Sequence, residues 1–228
     1  MVMRRMSASR LFLMLLLTYA VIALTCTVAF ALLPKAAPDR VNSPPLAVTC
    51  SKAKCHDAPP PGANMGSVAV TGIPACYNPG QVYQLTVTVS DPAAVRWGFE
   101  LGVQYDEGNV NDNSSAGTLA IPAGTPAAIV TSGEPALGQS RMFATHDANA
   151  TPDGTYPTQA NSASWRVDWT APAGRVTPVC FWYAGVAADN DGGRTGDRTY
   201  TGKTCIGPCG ATETKHKSWG RVKSYYEK

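Results

Sequence analysis

Cys50 and Cys55 stand with four residues between them, and His56 follows the second cysteine at once, in the stretch TCSKAKCHDAPPPG. Two thiols and an imidazole this close can do one of three things. They can close a small disulfide loop beside a solvent-exposed histidine. They can clip a metal, although a structural zinc wants four N/S ligands and this stretch supplies three at most. Or they can attach a haem, with the thiols adding across its vinyl groups and the adjacent histidine held under the iron as proximal ligand. The usual haem-attachment spacer is two residues; here it is four, Ser51 to Lys54.

A haem iron with His56 on one side needs a partner on the other. The candidates are Met65, Met142, His146 and His216. Hydrolytic chemistry has little material: there is no G-x-S-x-G, no H-E-x-x-H and no phosphate-cradling glycine loop, and the chain has three histidines in all. Asp189, Asp191 and Asp197 in DNDGGRTGD offer oxygen ligands of the kind calcium prefers, but the pattern is not an EF-hand and a polar hairpin turn accounts for it equally. Asn113 and Asn149 head glycosylation sequons that chance also produces. The reading is of an electron carrier rather than a catalyst.

The residues around this chemistry set its location. Arg4, Arg5 and Arg10 precede an uncharged apolar run from Leu11 to Leu33. A signal peptide has a shorter apolar core of about 7–15 residues, whereas a membrane span needs about 20. Residues 1–33 therefore read as an uncleaved signal-anchor helix, with cleavage after Ala29-Phe30-Ala31 as the alternative and lipid attachment at Cys26 as a lesser one. In either case the arginines stay cytoplasmic and the rest is exported, periplasmic or extracellular. Residues 34–48 are rich in Pro and Ala and read as an extended spacer. Residues 49–66 hold the Cys50, Cys55, His56 stretch and are the candidate haem-attachment element. The body, residues 41–210, carries nine basic and thirteen acidic residues, so the overall charge of +3 comes from the two ends. With no basic stripe in the body, nucleic acid is excluded as a partner. The tail KHKSWGRVKSYYEK alternates basic residues with Trp219, Tyr225 and Tyr226. It reads either as a loose end or as a segment that binds a partner, since aromatics and Arg are enriched at interfaces.

Between Ser67 and Thr204 the pattern has period two, the mark of half-buried strands. Tyr83, Leu85, Val87 and Val89 share one face; so do Trp97, Phe99, Leu101 and Val103; so do Trp165, Val167 and Trp169. TPVCFWYAGVAAD is more continuously apolar, as a central strand should be. Ala123 to Thr158 is long and polar, holding either weak strands or a functional loop. The fold class is all-β, an immunoglobulin-like antiparallel β-sandwich of residues 67–204 behind the N-terminal helix, followed by a cysteine loop and tail over 205–228. Export makes disulfides possible. Cys180, facing the core, is expected to pair with Cys76, and Cys205 with Cys209 across CIGPCG, as one of three possible connectivities.

YNPGQVYQLTVTVSDPAAVRWGFEL, SWRVDWTAP and VCFWYAGVAADNDGGRTGDRTY, in that order and spacing, resemble the reeler-like, choice-of-anchor β-sandwich domains of bacterial exported proteins. The resemblance covers about residues 47–202. Many members also resemble one another in an N-terminal C-x-x-C-H element read as a c-type haem site, a place that Cys50, Cys55 and His56 occupy here with the longer spacer. Such members often carry a histidine in the segment before the W-x-x-x-W-T-A-P strand, where His146 stands in MFATHDANA. The resemblance thus implies one haem c on Cys50 and Cys55, iron ligation by His56 and His146, and electron transfer to a redox protein or within a membrane complex. The alternative is a non-haem structural or adhesion sandwich in which Cys50 and Cys55 form a disulfide.

Overall fold

The computed structural model describes residues 35–51, 56, 65–106, 114–134 and 139–210. The expected signal-anchor helix, Cys55 and the aromatic tail lie outside them. So do Asn113 and His216. Nine strands are described: β1 (Ser67–Thr71), β2 (Val82–Ser90), β3 (Arg96–Tyr105), β4 (Thr118–Ala120), β5 (Ala127–Glu134), β6 (Gln139–His146), β7 (Ser162–Thr170), β8 (Val179–Ala188) and β9 (Arg198–Ile206). They form two antiparallel sheets, β1-β2-β7-β4 and β5-β6-β3-β8-β9. No helix of the described residues is long and apolar enough to cross a membrane.

The sequence pattern explains the layers. Leu85, Val87 and Val89 of β2 and Trp165, Val167 and Trp169 of β7 point inward and are almost completely buried. They meet Trp97, Phe99, Leu101 and Val103 of β3 and Phe181 of β8 in one core between the sheets. Phe99 lies against Trp165 at 4.6 Å between ring centres, and Phe181 meets Trp169 edge-on at 4.8 Å. Alternation of apolar and polar residues suffices here because each of these faces has a single apolar partner. The segment from Ala123 to Thr158 supplies two strands, β5 and β6, and then a loop.

Two expectations are corrected. The segment 34–48 is no free spacer: its described residues, 35–48, together with 49–51, lie packed on the outer face of the five-stranded sheet. Val41 is fully buried there in a second, smaller apolar cluster with Cys50, Phe143, Ala184 and Val186. This strap is why β3 and β8 are buried on both faces. The disulfide pairing also differs. The bonds are Cys76–Cys209 and Cys180–Cys205. The sheet register decides this, because Cys180 stands directly opposite Cys205 across the β8–β9 ladder. Cys205 is thus a strand residue, not one end of a loop. Cys209 is instead brought to Cys76 by a backbone clasp, in which Tyr77 N–H donates to the Gly207 carbonyl and Cys209 N–H to the Tyr77 carbonyl.

Candidate functional site

A cavity of about 730 Å³ opens at one end of the outer face of the five-stranded sheet. Its floor is the start of β3 (Trp97, Gly98, Phe99) and the end of β8 (Val186, Ala188). Its walls are the strap, the loop after β6 and the β8–β9 loop. Cys50, His56 and His146 all line it. Three residues chosen from sequence thus meet in one place.

His146 ends β6 and is half-buried, its open surface turned to this cavity. Gly98 makes room for it: a Cβ there would stand 3.0 Å from His146 Cε1 and 3.1 Å from Nδ1. The ring is tethered through Nδ1, which lies 3.2 Å from the Phe99 nitrogen and 3.3 Å from the Phe99 oxygen. In one tautomer the Phe99 N–H donates to Nδ1; in the other Nδ1–H donates to the Phe99 carbonyl. Burial pushes the imidazole down to about 4. The proximity of His56 acts in the same direction, while the Phe99 backbone, Asp147 and Asp153 oppose it. His146 is therefore neutral at physiological pH, the state in which an imidazole can ligate a metal.

His56, on the same cavity, is also held through Nδ1. Its Nδ1 lies 2.5 Å from Asp197 Oδ2. Asp197 is 3% exposed, so the β8–β9 loop has turned this carboxylate inward. In both histidines Nδ1 is occupied and Nε2 is the remaining ring nitrogen. A histidine whose Nδ1–H donates to a carboxylate or a backbone carbonyl has its tautomer and orientation fixed for ligation through Nε2.

Cys50 is buried beside them, its Sγ 3.9 Å from the Arg40 carbonyl oxygen. Cys55 lies outside the described residues. The rival ligands are elsewhere. Met142 packs against the inter-sheet core, and its sulfur receives the Leu119 N–H at 3.3 Å. Met65 is half-exposed and borders a different depression, beside Asp91 and Asn161. The aspartates of DNDGGRTGD part company: Asp189 and Asp191 accept the N–H groups of Asp191 and Gly193 within their own loop, as a polar turn does, while Asp197 faces His56. Among the described residues, the only close group of three potential metal-ligating side chains is Asp106, Cys180 and Cys205, whose two sulfurs are bonded to each other.

Residues that fit a haem are thus present: two histidines on one cavity, each with Nδ1 tied back, and a buried thiol beside them, with Gly98, Val186 and Ala188 also lining the space. Sequence reasoning missed the orienting role of Asp197, which it weighed only as part of a polar turn or a calcium loop. The sign available was its place directly between Gly196 and β9, where the chain returns to the sheet.

No family model matches the chain, and no curated protein matches it. Its fold is similar to solved β-sandwiches. The human F-spondin reeler domain is 21% identical, with a TM-score of 0.37 over 64% of this chain and 91% of that one. The cohesin CaCohA2 from Clostridium acetobutylicum is 14% identical, with a TM-score of 0.37 over 65% and 93%. The major subunit of the aggregative adherence fimbriae type I from Escherichia coli is 11% identical, with a TM-score of 0.33 over 64% and 95%.

Proposed function

We propose that this chain is an exported, disulfide-stapled reeler-like β-sandwich that works by holding a group rather than by transforming a substrate, and that the group sits between His56 and His146. The finer reading is a single haem c, joined to Cys50 and Cys55 and ligated by the two histidines, on a domain tethered to the membrane by residues 1–33. The observation that carries it is the convergence of His56, His146 and Cys50 on one cavity, with both Nδ1 atoms tied back. When bound, such a haem supplies a one-electron iron couple. The residues of the chain do the rest. Asp197 and the Phe99 backbone hold the imidazoles in place, and the apolar floor limits water. Two histidines on one iron leave no open position, which suits transfer of electrons to a redox protein or within a membrane complex.

A second reading is a non-haem structural or adhesion sandwich with Cys50–Cys55 closed as a disulfide. It is favoured by the inter-sheet core, which is filled by side chains, and by the two disulfides, which close the fold without any cofactor. One preparation separates the two. The protein, made with its export and haem-attachment machinery, is denatured and examined by haem staining and by its pyridine haemochrome spectrum. Covalent haem that disappears in Cys50→Ala/Cys55→Ala supports the first reading. A colourless protein with a Cys50–Cys55 peptide in the non-reduced digest establishes the second.

A further inference from the structure

One row of side chains on the outer face of β3 reads Gly98, Glu100, Gly102, Gln104. In a strand, alternate residues share a face. Here the two glycines are filled from outside. The His146 ring lies over Gly98, and Phe143 covers Gly102, where a Cβ would come 2.6 Å from the ring. Between them stands Glu100, fully buried on the face of a sheet where a carboxylate has no business without partners. Its partners are the strap. Asp39 N–H donates to Oε1 at 2.6 Å and Arg40 N–H to Oε2 at 3.2 Å.

A second set of bonds holds the same few residues. The Arg141 guanidinium pairs with the Asp39 carboxylate, each only 1% exposed, and also donates to the Pro44 carbonyl at 2.9 Å. Ser43 Oγ donates to Asp39 Oδ1, and Gln104 Nε2 donates to Ser43 Oγ. From there the chain makes a short excursion and returns: Val41 bridges to Thr49, and Asn42 N–H donates to the Val48 carbonyl at 2.9 Å. The return places Cys50 Sγ against the Arg40 carbonyl. Glu100 therefore grips the N–H of the residue whose carbonyl faces Cys50, and it sits two residues along β3 from the glycine under His146.

We infer that Glu100 is a positioning residue, a buried latch that docks residues 35–51 onto the sheet and so carries Cys50 to the cavity where His56 and His146 stand. The docking is separable from the sandwich itself, because the strap belongs to the outer cluster and not to the inter-sheet core. The inference rests on the cavity being the functional site. Its first readout does not depend on what the cavity holds.

The test is hydrogen exchange on the full chain at pH 9, where the Glu100 carboxyl, raised to about 8 by burial, is ionised, comparing wild type with Glu100→Gln. The variant keeps the size of the side chain but turns an NH₂ toward one of the two strap N–H groups. Losing one bond to a buried carboxylate and leaving that N–H unpaired should speed exchange at Asp39 and Arg40 by about 10-fold or more. Amides of Val87 and Val167, in the other sheet, should keep their wild-type rates. Tryptic cleavage after Arg40 should accelerate in parallel. Strap amides that exchange at the wild-type rate in a folded Glu100→Gln protein overturn the inference. If that variant does not fold, Glu100→Asp decides, because the shorter side chain draws the carboxylate back from the Asp39 and Arg40 N–H groups while keeping its charge; unchanged strap exchange there is equally fatal. Haem content, measured on the same samples, is expected to fall several-fold with the latch broken. A protein that never carries haem leaves the exchange comparison intact and fails only the reading of the cofactor.

Discussion

His146→Gln should change how stability depends on pH, and the direction follows from the cavity. The imidazole has an ordinary value of 6.5 and is held near 4 in the folded protein, chiefly by burial. Above pH 6.5 it is neutral whether the chain is folded or not, and its contribution is complete. Between 6.5 and 4 the unfolded chain takes up a proton that the folded one refuses, so stability is lost as pH falls through that window. Each unit of displacement is worth about 1.4 kcal/mol. Allowing for water in the half-open cavity, the loss between pH 7.5 and 4.5 comes to about 2 kcal/mol. Glu100 works in the opposite sense. Burial raises its carboxyl to about 8 from 4.5, so the folded state keeps that proton while the unfolded chain has lost it, and stability rises as pH falls from 8 toward 4.5. The raw pH profile is therefore a sum of opposing slopes. The difference between wild type and His146→Gln isolates the histidine, because Glu100 is common to both. The assay is urea unfolding followed by tryptophan fluorescence, on protein made with its disulfides but without haem attachment. Wild type should lose about 2 kcal/mol relative to the variant between pH 7.5 and 4.5. Two curves that stay parallel within about 0.5 kcal/mol would show that the ring is not buried as described, and the argument for a neutral ligand at this position would fall with it.

Three further outcomes follow from the fold. Opening Cys76–Cys209, which spans 133 residues, should cost about 5 kcal/mol in the chain-entropy account, against about 3.5 kcal/mol for the 25-residue Cys180–Cys205 link; thermal unfolding of the two Cys→Ala double variants gives the order, and peptide mapping of the non-reduced protein checks the pairing itself. Gly102→Ala should destabilise by about 1–3 kcal/mol through overpacking, because its new methyl group must displace the Phe143 ring from 2.6 Å, and denaturant titration measures it. Asp91→Ala should cost about 3–5 kcal/mol, since the fully buried Asp91 carboxylate receives Arg198 Nη1 at 2.9 and 3.0 Å and the Tyr200 hydroxyl at 2.6 Å; a loss below about 1 kcal/mol by the same titration would contradict that account.

The parts of the molecule that were legible in sequence are those where a residue's surroundings depend on its own strand. Leu85, Val87 and Val89 alternate with polar residues because one face meets the core and the other water, and the same holds for β7. β5 and β6 were harder to read because their alternation is not apolar against polar. Arg141 and Thr145 are both buried, and they point toward the strap rather than toward water. The strap itself reads as a spacer from its composition, since nothing local distinguishes a Pro/Ala-rich segment in solvent from one lying on a sheet. What docks it is Glu100, 60 residues from Arg40 along the chain. The cysteine pairing failed for a related reason. Which cysteine faces Cys180 depends on the β8–β9 register, and β9 is too polar for its register to be read from sequence alone.

The position of the cavity follows from the same long-range order. A β-sandwich fills the space between its sheets with apolar side chains, leaving no room there for a large group, and its outer faces are ordinarily wet. Here one outer face carries glycines at 98 and 102, so it is unusually low, and the strap lies across it. The space left where the strap ends is enclosed enough to hold His146 largely out of water and open enough to admit a ligand. The two histidines that line that space are then fixed by partners that belong to different elements, Phe99 on β3 and Asp197 immediately before β9. Both partners belong to the sandwich, so the imidazoles are set by it rather than by the strap. That division has a consequence for variants. Asp197→Ala should leave the strap docked but let His56 turn, whereas breaking the latch at Glu100 should free the strap and Cys50 with it, while His146 stays on Phe99 and His56 on Asp197.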